Sequence, residues 1–226
     1  MIKVKLKNRT YKIPTSFTID QWKQIVKMDM EDPRNWPKIM GIGMNLPAGK
    51  FINADPDGLI LGASLVINQM AERVQAPHTD FTTLTFGEFV DLDVWIVMGI
   101  ENHIEAIMEM LGKKPKYSAN EALYIIDQYA NFRLSTYRSY SGLFGLNSKG
   151  EQEDVEENWD PNKVARGWYK VIVDLADNDL QKLDYVTEQP LKKVLNFMAL
   201  RKERALDEQF KQLEQKRKHD LQRRSK

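Results

Sequence analysis

Three histidines, His78, His103 and His219, are the residues most able to do chemistry near neutral pH or to ligate a transition metal. They stand far apart, and none belongs to the His-x-x-x-His or Glu-x-x-His spacing that puts two ligands on one helical face. Glu101, Glu105 and Glu109 do share a face at four-residue spacing and so could form a carboxylate site. Set opposite Ile104, Ile107, Met108 and Leu111, they read as the wet stripe of an amphipathic helix. Gly41-Ile42-Gly43 lacks the third glycine and the preceding strand of a dinucleotide loop, and it reads as flexible loop. There is no Gly-x-x-x-x-Gly-Lys-Ser/Thr loop, and Ser141-Gly142 lies outside any nucleophile-elbow pattern. The expectation is therefore of no catalytic residue, no metal and no cofactor, in a chain that is not an enzyme.

Two other patterns suggest binding. Tyr124, Tyr129, Phe132, Arg133, Tyr137, Arg138, Tyr140 and Phe144 interleave rings with cations, the composition of platforms that stack single-stranded nucleic acid. A ring every three or four residues is also how a helix presents a core face, and that reading is preferred. The basic end, with Lys216-Arg217-Lys218 and Arg223-Arg224, could touch phosphates. Cations also complement the C-terminal dipole of a helix, so a solvated helix end accounts for them without nucleic acid or membrane. Beside them Leu206, Phe210 and Leu213 form a narrow apolar seam, the candidate partner-binding residues of the chain.

The elements that position these residues follow from periodicity and capping. The formal charge of the 226-residue chain is +1, which gives no global electrostatic case for an anionic partner. Residues 201–226 carry ten Lys or Arg against five Asp or Glu, so the basic excess is local. The hydrophobic fraction of 42% is that of an ordinary folded protein. The absence of cysteine suits a reducing compartment. The alternating start lacks a signal peptide's apolar core, and no apolar run approaches the roughly 20 residues that span a bilayer. A soluble, unexported chain is expected.

Ile2, Val4 and Leu6 alternate with lysines, and Tyr11 and Ile13 resume the alternation before Pro14, which predicts a short hairpin with one wet face. Capping boxes at Thr18/Gln21, Thr85/Glu88 and Ser118/Glu121 open three helices, the first expected over about Ile19 to Met30. The Pro/Gly-dense stretch 32–58 predicts mostly irregular backbone with a short helical turn over Trp36 to Met44. Further helices are expected over Leu59 to Val74 and Ile100 to Leu111. Thr15-Ser-Phe-Thr-Ile-Asp-Gln-Trp22 and Thr82-Thr-Leu-Thr-Phe-Gly-Glu-Phe89 echo each other, a weak sign of a repeat. Residues 147–158 are acidic and nearly devoid of apolar side chains, the pattern of a solvated linker.

Asp160-Pro161 then starts a helix expected to bury Val164, Trp168, Tyr169, Val171, Ile172 and Leu175. A short helix with Leu180, Leu183 and Val186 follows, and Pro190 restarts the chain as a long last helix over Leu191 to about Leu221. Its first half, with Val194, Leu195, Phe197, Met198 and Leu200, is broadly apolar and should pack on the body. The predicted fold is mainly α: a small N-terminal β-hairpin, a multi-helix bundle and a long C-terminal helix. The expected divisions are a body over 1–146, an acidic linker over 147–160 and a C-terminal helical unit over 161–226.

Several stretches together resemble the tail assembly chaperone and baseplate hub assembly proteins of tailed bacteriophages. The opening basic hairpin leads into Lys12-Ile-Pro-Thr-Ser-Phe-Thr-Ile-Asp-Gln-Trp22, and the middle carries Leu84-Thr-Phe-Gly-Glu-Phe-Val-Asp-Leu92. The end carries Gly167-Trp-Tyr-Lys-Val-Ile-Val-Asp-Leu-Ala176, Asp179-Leu-Gln-Lys182, Pro190-Leu-Lys-Lys-Val-Leu195 and a Glu/Lys-rich terminal helix. These stretches cover about a third of the chain. The resemblance implies a non-enzymatic factor of the host cytoplasm that binds a phage tail or hub protein, such as the tape measure, until assembly. A structural subunit of the tail or baseplate is the alternative reading, and an enzyme built on unusual residues is the third.

Overall fold

The structure is a computed structural model. It describes residues 2–6, 9–77, 79–112, 114, 116–144 and 160–224, with the side chains of 161 and 219–224 not described. The expected linker over 147–158 and His78 lie outside the described residues, as does the side chain of His219. The fold is mainly α, opening on a two-stranded antiparallel hairpin, β1 (Ile2–Leu6) and β2 (Arg9–Ile13). Its register pairs Ile2 with Ile13 and Leu6 with Arg9, so Val4, Leu6 and Ile13 all point inward and are buried.

Ten α-helices follow among the described residues: α1 (Ile19–Val26), α2 (Trp36–Met44), α3 (Pro56–Ala71), α4 (Phe86–Met98), α5 (Ile100–Leu111), α6 (Ala119–Ser139), α7 (Ser141–Phe144), α8 (Pro161–Leu175), α9 (Leu183–Thr187) and α10 (Leu191–Arg224). All three capping boxes close. Thr18 and Gln21 exchange bonds at 2.9 and 3.1 Å, Thr85 and Glu88 at 2.8 and 3.2 Å, and Ser118 and Glu121 at 3.0 and 3.3 Å. α1 stops at Val26, short of Met30. α3 starts three residues before Leu59, because Asp55 caps it by accepting from the Gly58 N–H at 2.7 Å and Pro56 suits the first turn.

The chain forms two compact units, each interleaved in sequence: one comprises residues 1–79 and 95–130, the other 80–94 and 131–226. Segments 80–94 and 131–144 thus belong with the C-terminal helices, an arrangement different from the expected order of body, linker and C-terminal unit. In the first unit the hairpin contacts α3, and β2 also contacts α2. Tyr11 and Phe51 meet at 5.1 Å between ring centroids, and Ile25, Ile39, Met40, Val66, Ile104 and Ile107 are fully buried.

Gly41 and Gly43 are not loop residues, contrary to the loop reading of Gly41-Ile42-Gly43; they lie inside α2, which occupies the helical turn expected over Trp36 to Met44. Close packing requires them. A Cβ on Gly43 would stand 2.4 Å from Val66 Cγ1, and one on Gly41 would stand 2.8 Å from the Leu46 carbonyl oxygen.

Each unit contains the same local device. In the first, Thr18 bridges Ser118, and the Ala119 N–H donates to the Phe17 carbonyl at 2.8 Å. In the second, Thr85 bridges Pro190, and the Leu191 N–H donates to the Leu84 carbonyl at 3.0 Å. The residue before a capping threonine thus anchors the start of a second helix in both, which gives the echo between 15–22 and 82–89 a structural meaning.

Candidate partner-docking surface

α10 is 34 residues long, about 51 Å at ~1.5 Å per residue. Leu191, Val194 and Leu195 are buried in its first two turns, and Tyr140 Oη donates to Asn196 Oδ1 at 2.6 Å. Arg201 ties the helix to the end of α8 through Asp174, 3.2 Å from its carboxylate, and Lys202 donates to the Gly142 carbonyl of α7. Beyond this point the packing ends: every residue from Leu200 to Lys218 is exposed. Phe197 and Leu200 are also exposed, a correction to the expectation that the first half packs throughout. They fall on the side of the helix away from Leu195, and one helix can bury only the face that something covers.

The sequence-derived partner residues lie on this free stretch. Leu206, Phe210 and Leu213 are 47, 69 and 60% exposed. At about 100° per residue they fall within an arc of roughly 60°, and Leu195 and Ala199 occupy the same arc further back. The stripe that packs the first half therefore continues, uncovered, past the end of its support. A cleft of about 290 Å³ marks the transition, lined by Ser139, Tyr140, Leu143, Ala199, Lys202 and Leu206. The seam's edges differ in charge: Glu203, Asp207 and Glu214 follow one side, Lys202, Gln209 and Lys216 the other.

The same unit contains a buried polar cluster that sequence reasoning missed. Asp93 on α4 is 1% exposed and accepts from Tyr137 Oη at 2.7 Å, from Trp168 Nε1 at 2.7 Å and from Arg133 Nε. One carboxylate thereby joins α4, α6 and α8. Rings close around it: Trp168 meets Phe86, Phe89 and Phe144 at centroid distances of 5.8, 6.0 and 6.0 Å. Arg133 also lies over the Tyr137 ring at 4.6 Å. Burial pushes the Tyr137 phenol well above its ordinary range, and the adjacent Asp93 charge adds to the effect. Arg133 and Tyr137 of the aromatic and cationic run thus pack inward here, whereas Arg138 is exposed. An acid within the apolar run Phe89 to Trp95 was the available signal.

Expected burial elsewhere in this unit needs correction. Tyr169, expected buried, is 60% exposed, while Trp168 is buried; apolar type at helical spacing does not guarantee cover.

The remaining candidates offer less. A cleft of about 500 Å³ in the first unit is lined by Gln21, Gln24, Met28, Lys38 and Asn45 among others, with Lys38 the charged group among its lining residues. A cleft of about 440 Å³ in the second carries Glu88, Asp91 and Glu188. Burial raises the Asp91 pKa above the ordinary carboxylate value, and the neighbouring Glu88 charge raises it further. His103 stacks on Trp95 at 6.2 Å, and Glu105 pairs with Lys23 at 2.7 Å. Among the described residues no cluster of three or more His, Cys, Asp or Glu could hold a metal ion, and no helix is long and apolar enough to cross a membrane.

No family model, curated protein or solved structure matches the chain.

Proposed function

We propose that this protein is a non-enzymatic assembly factor of a tailed bacteriophage, acting in the host cytoplasm on a tail or baseplate hub protein such as the tape measure. The observation that carries the reading is the uncovered apolar stripe of α10, where Leu206, Phe210 and Leu213 stand exposed on a helix whose first two turns bury Leu191, Val194 and Leu195. A projecting helix of this kind offers its stripe to a partner helix, which packs by the same three- and four-residue spacing. The Asp93 cluster supports the role by fixing α8, and Arg201 joins α8 to the base of the arm. The sequence resemblance to tail and hub assembly proteins supplies the biological setting.

A census of proteins in purified particles, beside the lysate of infected cells, tests this. An assembly factor is abundant in the lysate and absent from finished particles. Stoichiometric presence in the particle would overturn the reading in favour of a structural tail subunit.

A further inference from the structure

We propose that the groove between α1 and α2 takes the carboxy-terminal end of a polypeptide, its last side chain aliphatic and its carboxylate held by Lys38. The groove has a volume of about 500 Å³, within the ordinary range of ligand clefts. Gln21 and Gln24 line it from one face of α1, with Met28 just beyond that helix. Lys38, Gly41, Ile42 and Asn45 line it from α2 and its C-cap, at the three- and four-residue spacing of a single helix face. Gln21 Nε2 donates to the Ile42 carbonyl at 2.7 Å, and Trp36 Nε1 donates to the Met30 carbonyl at 3.0 Å. The start of α2 therefore lies by the end of α1, which sets Lys38 and Met28 at one end of the groove and Gln21 and Asn45 at the other.

The lining is graded to match such a ligand. Lys38 is its one charged residue, and it is exposed. Among the described residues it makes no ion pair: its Nζ lies 3.4 Å from the neutral Asn35 Oδ1, and Asp32 is taken by Arg34 at 2.7 Å. An anion complements that end, and a carboxylate accepts the charge-assisted bond that an ammonium offers. Gln21, Gln24 and Asn45 bring primary amides, each both donor and acceptor, as a peptide backbone is. The Gln21 amide is held in place, because its Oε1 accepts from the Thr18 N–H at 2.9 Å while its Nε2 bonds Ile42. One N–H and one lone pair remain, in a set orientation, for a ligand. Met28, Ile42, Leu46 and Pro47 supply the apolar wall. The lining includes no aromatic ring on which a nucleic-acid base would stack, so the anion it suits is a peptide's rather than a nucleotide's. The site uses no residue of α10, and the inference does not rest on the assembly reading.

NMR titration of the isotopically labelled full chain with tetrapeptides, random except for a final leucine, tests this. With free carboxy-termini the pool should shift, saturably, the side-chain amides of Gln21, Gln24 and Asn45 and the backbone amides of Leu46 and Ala48. Amidating the carboxy-termini of the same pool should weaken binding about tenfold, as should Lys38→Gln. Lys50→Gln, at a lysine outside the lining, should leave binding unchanged. Lys38 is exposed, so its variant should keep the wild-type amide positions elsewhere, which the same spectra check. Absence of shifts at the groove, equal binding of the amidated pool, or a dissociation constant unmoved by Lys38→Gln would each overturn the proposal. Acetate alone reproducing the shifts at equal concentration would also overturn it, by reducing the site to a carboxylate contact that ignores the peptide.

Discussion

Replacing Asn120 by alanine should destabilise the first unit far more than the loss of one small side chain suggests. Asn120 is fully buried; its Oδ1 accepts from the Phe17 N–H at 3.2 Å, and its Nδ2 donates to the carbonyls of Gln69 at 2.9 Å and Glu72 at 2.8 Å. Those carbonyls lie at the C-terminal end of α3, where a helix has no acceptors' partners of its own. The asparagine therefore caps a helix some fifty residues away while fixing the chain just before α1. Removing it strands one donor and two acceptors, each costing about 1–3 kcal/mol when water cannot replace the bond. Glu72 is exposed, so water can reach its carbonyl and the lower end applies there. The sum is about 3–7 kcal/mol, a large part of a typical total stability of about 5–15 kcal/mol.

Urea denaturation followed by circular dichroism reads the loss, and hydrogen exchange at the Phe17 and Val74 amides localises it, the latter bonded to the Asn120 carbonyl at 3.4 Å. Asn120→Asp gives a second handle. Its carboxylate would face the same carbonyl oxygens, so the folded state would hold the acid with a pKa raised above the unfolded value of about 3.9. The penalty should then be present at pH 7 and fade as pH falls towards 4, because only ionisation is disfavoured. A loss under ~1 kcal/mol for Asn120→Ala, with unchanged exchange at Phe17, would refute the reasoning.

Three further outcomes are expected. Asp93→Asn should cost about 2–4 kcal/mol by leaving Arg133 without its charged acceptor, and a double-mutant cycle with Trp168→Phe, read by thermal melts, should show strong coupling through the 2.7 Å bond. Deleting residues 205–226 should leave the melting temperature nearly unchanged, since the described side chains removed are all exposed; loss of a cooperative melt would place the arm in the core. Asp91→Asn should raise the melting temperature slightly at pH 7 and not at pH 3. The folded pKa of Asp91 is raised, so its ionisation opposes folding only as pH rises above the ordinary carboxylate range.

The sequence made the helix starts legible because a capping box is local: Thr85 and Glu88 need only each other and three intervening residues. The hairpin was legible for the same reason, as was the narrowing seam of α10, where three apolar residues stand out against a charged background. Asn120 and Asp93 were not legible. Their partners lie 48 to 103 and 40 to 75 residues away, and the one local sign, an acid set within the apolar run Phe89 to Trp95, says nothing of which side chains meet it. Gly41 and Gly43 misled because glycine is permissive in loops, yet it also lets a helix approach another backbone or a branched side chain. Tyr169 and Phe197 misled because periodicity gives the direction of an apolar face but not its width, which depends on the neighbouring element.

The central claim, that the exposed stripe of α10 captures a phage tail or hub protein, is most directly tested by affinity capture from infected cells. Tagged wild-type chain and a variant carrying Leu206→Ser, Phe210→Ser and Leu213→Ser would be compared by mass spectrometry, with equal bait recovery. The account predicts that a tail or hub protein co-purifies with the wild type and falls at least tenfold with the variant, because three exposed apolar anchors are lost while the buried part of the chain is untouched. Equal recovery of that protein with both baits, or no tail or hub protein with the wild type, would contradict it.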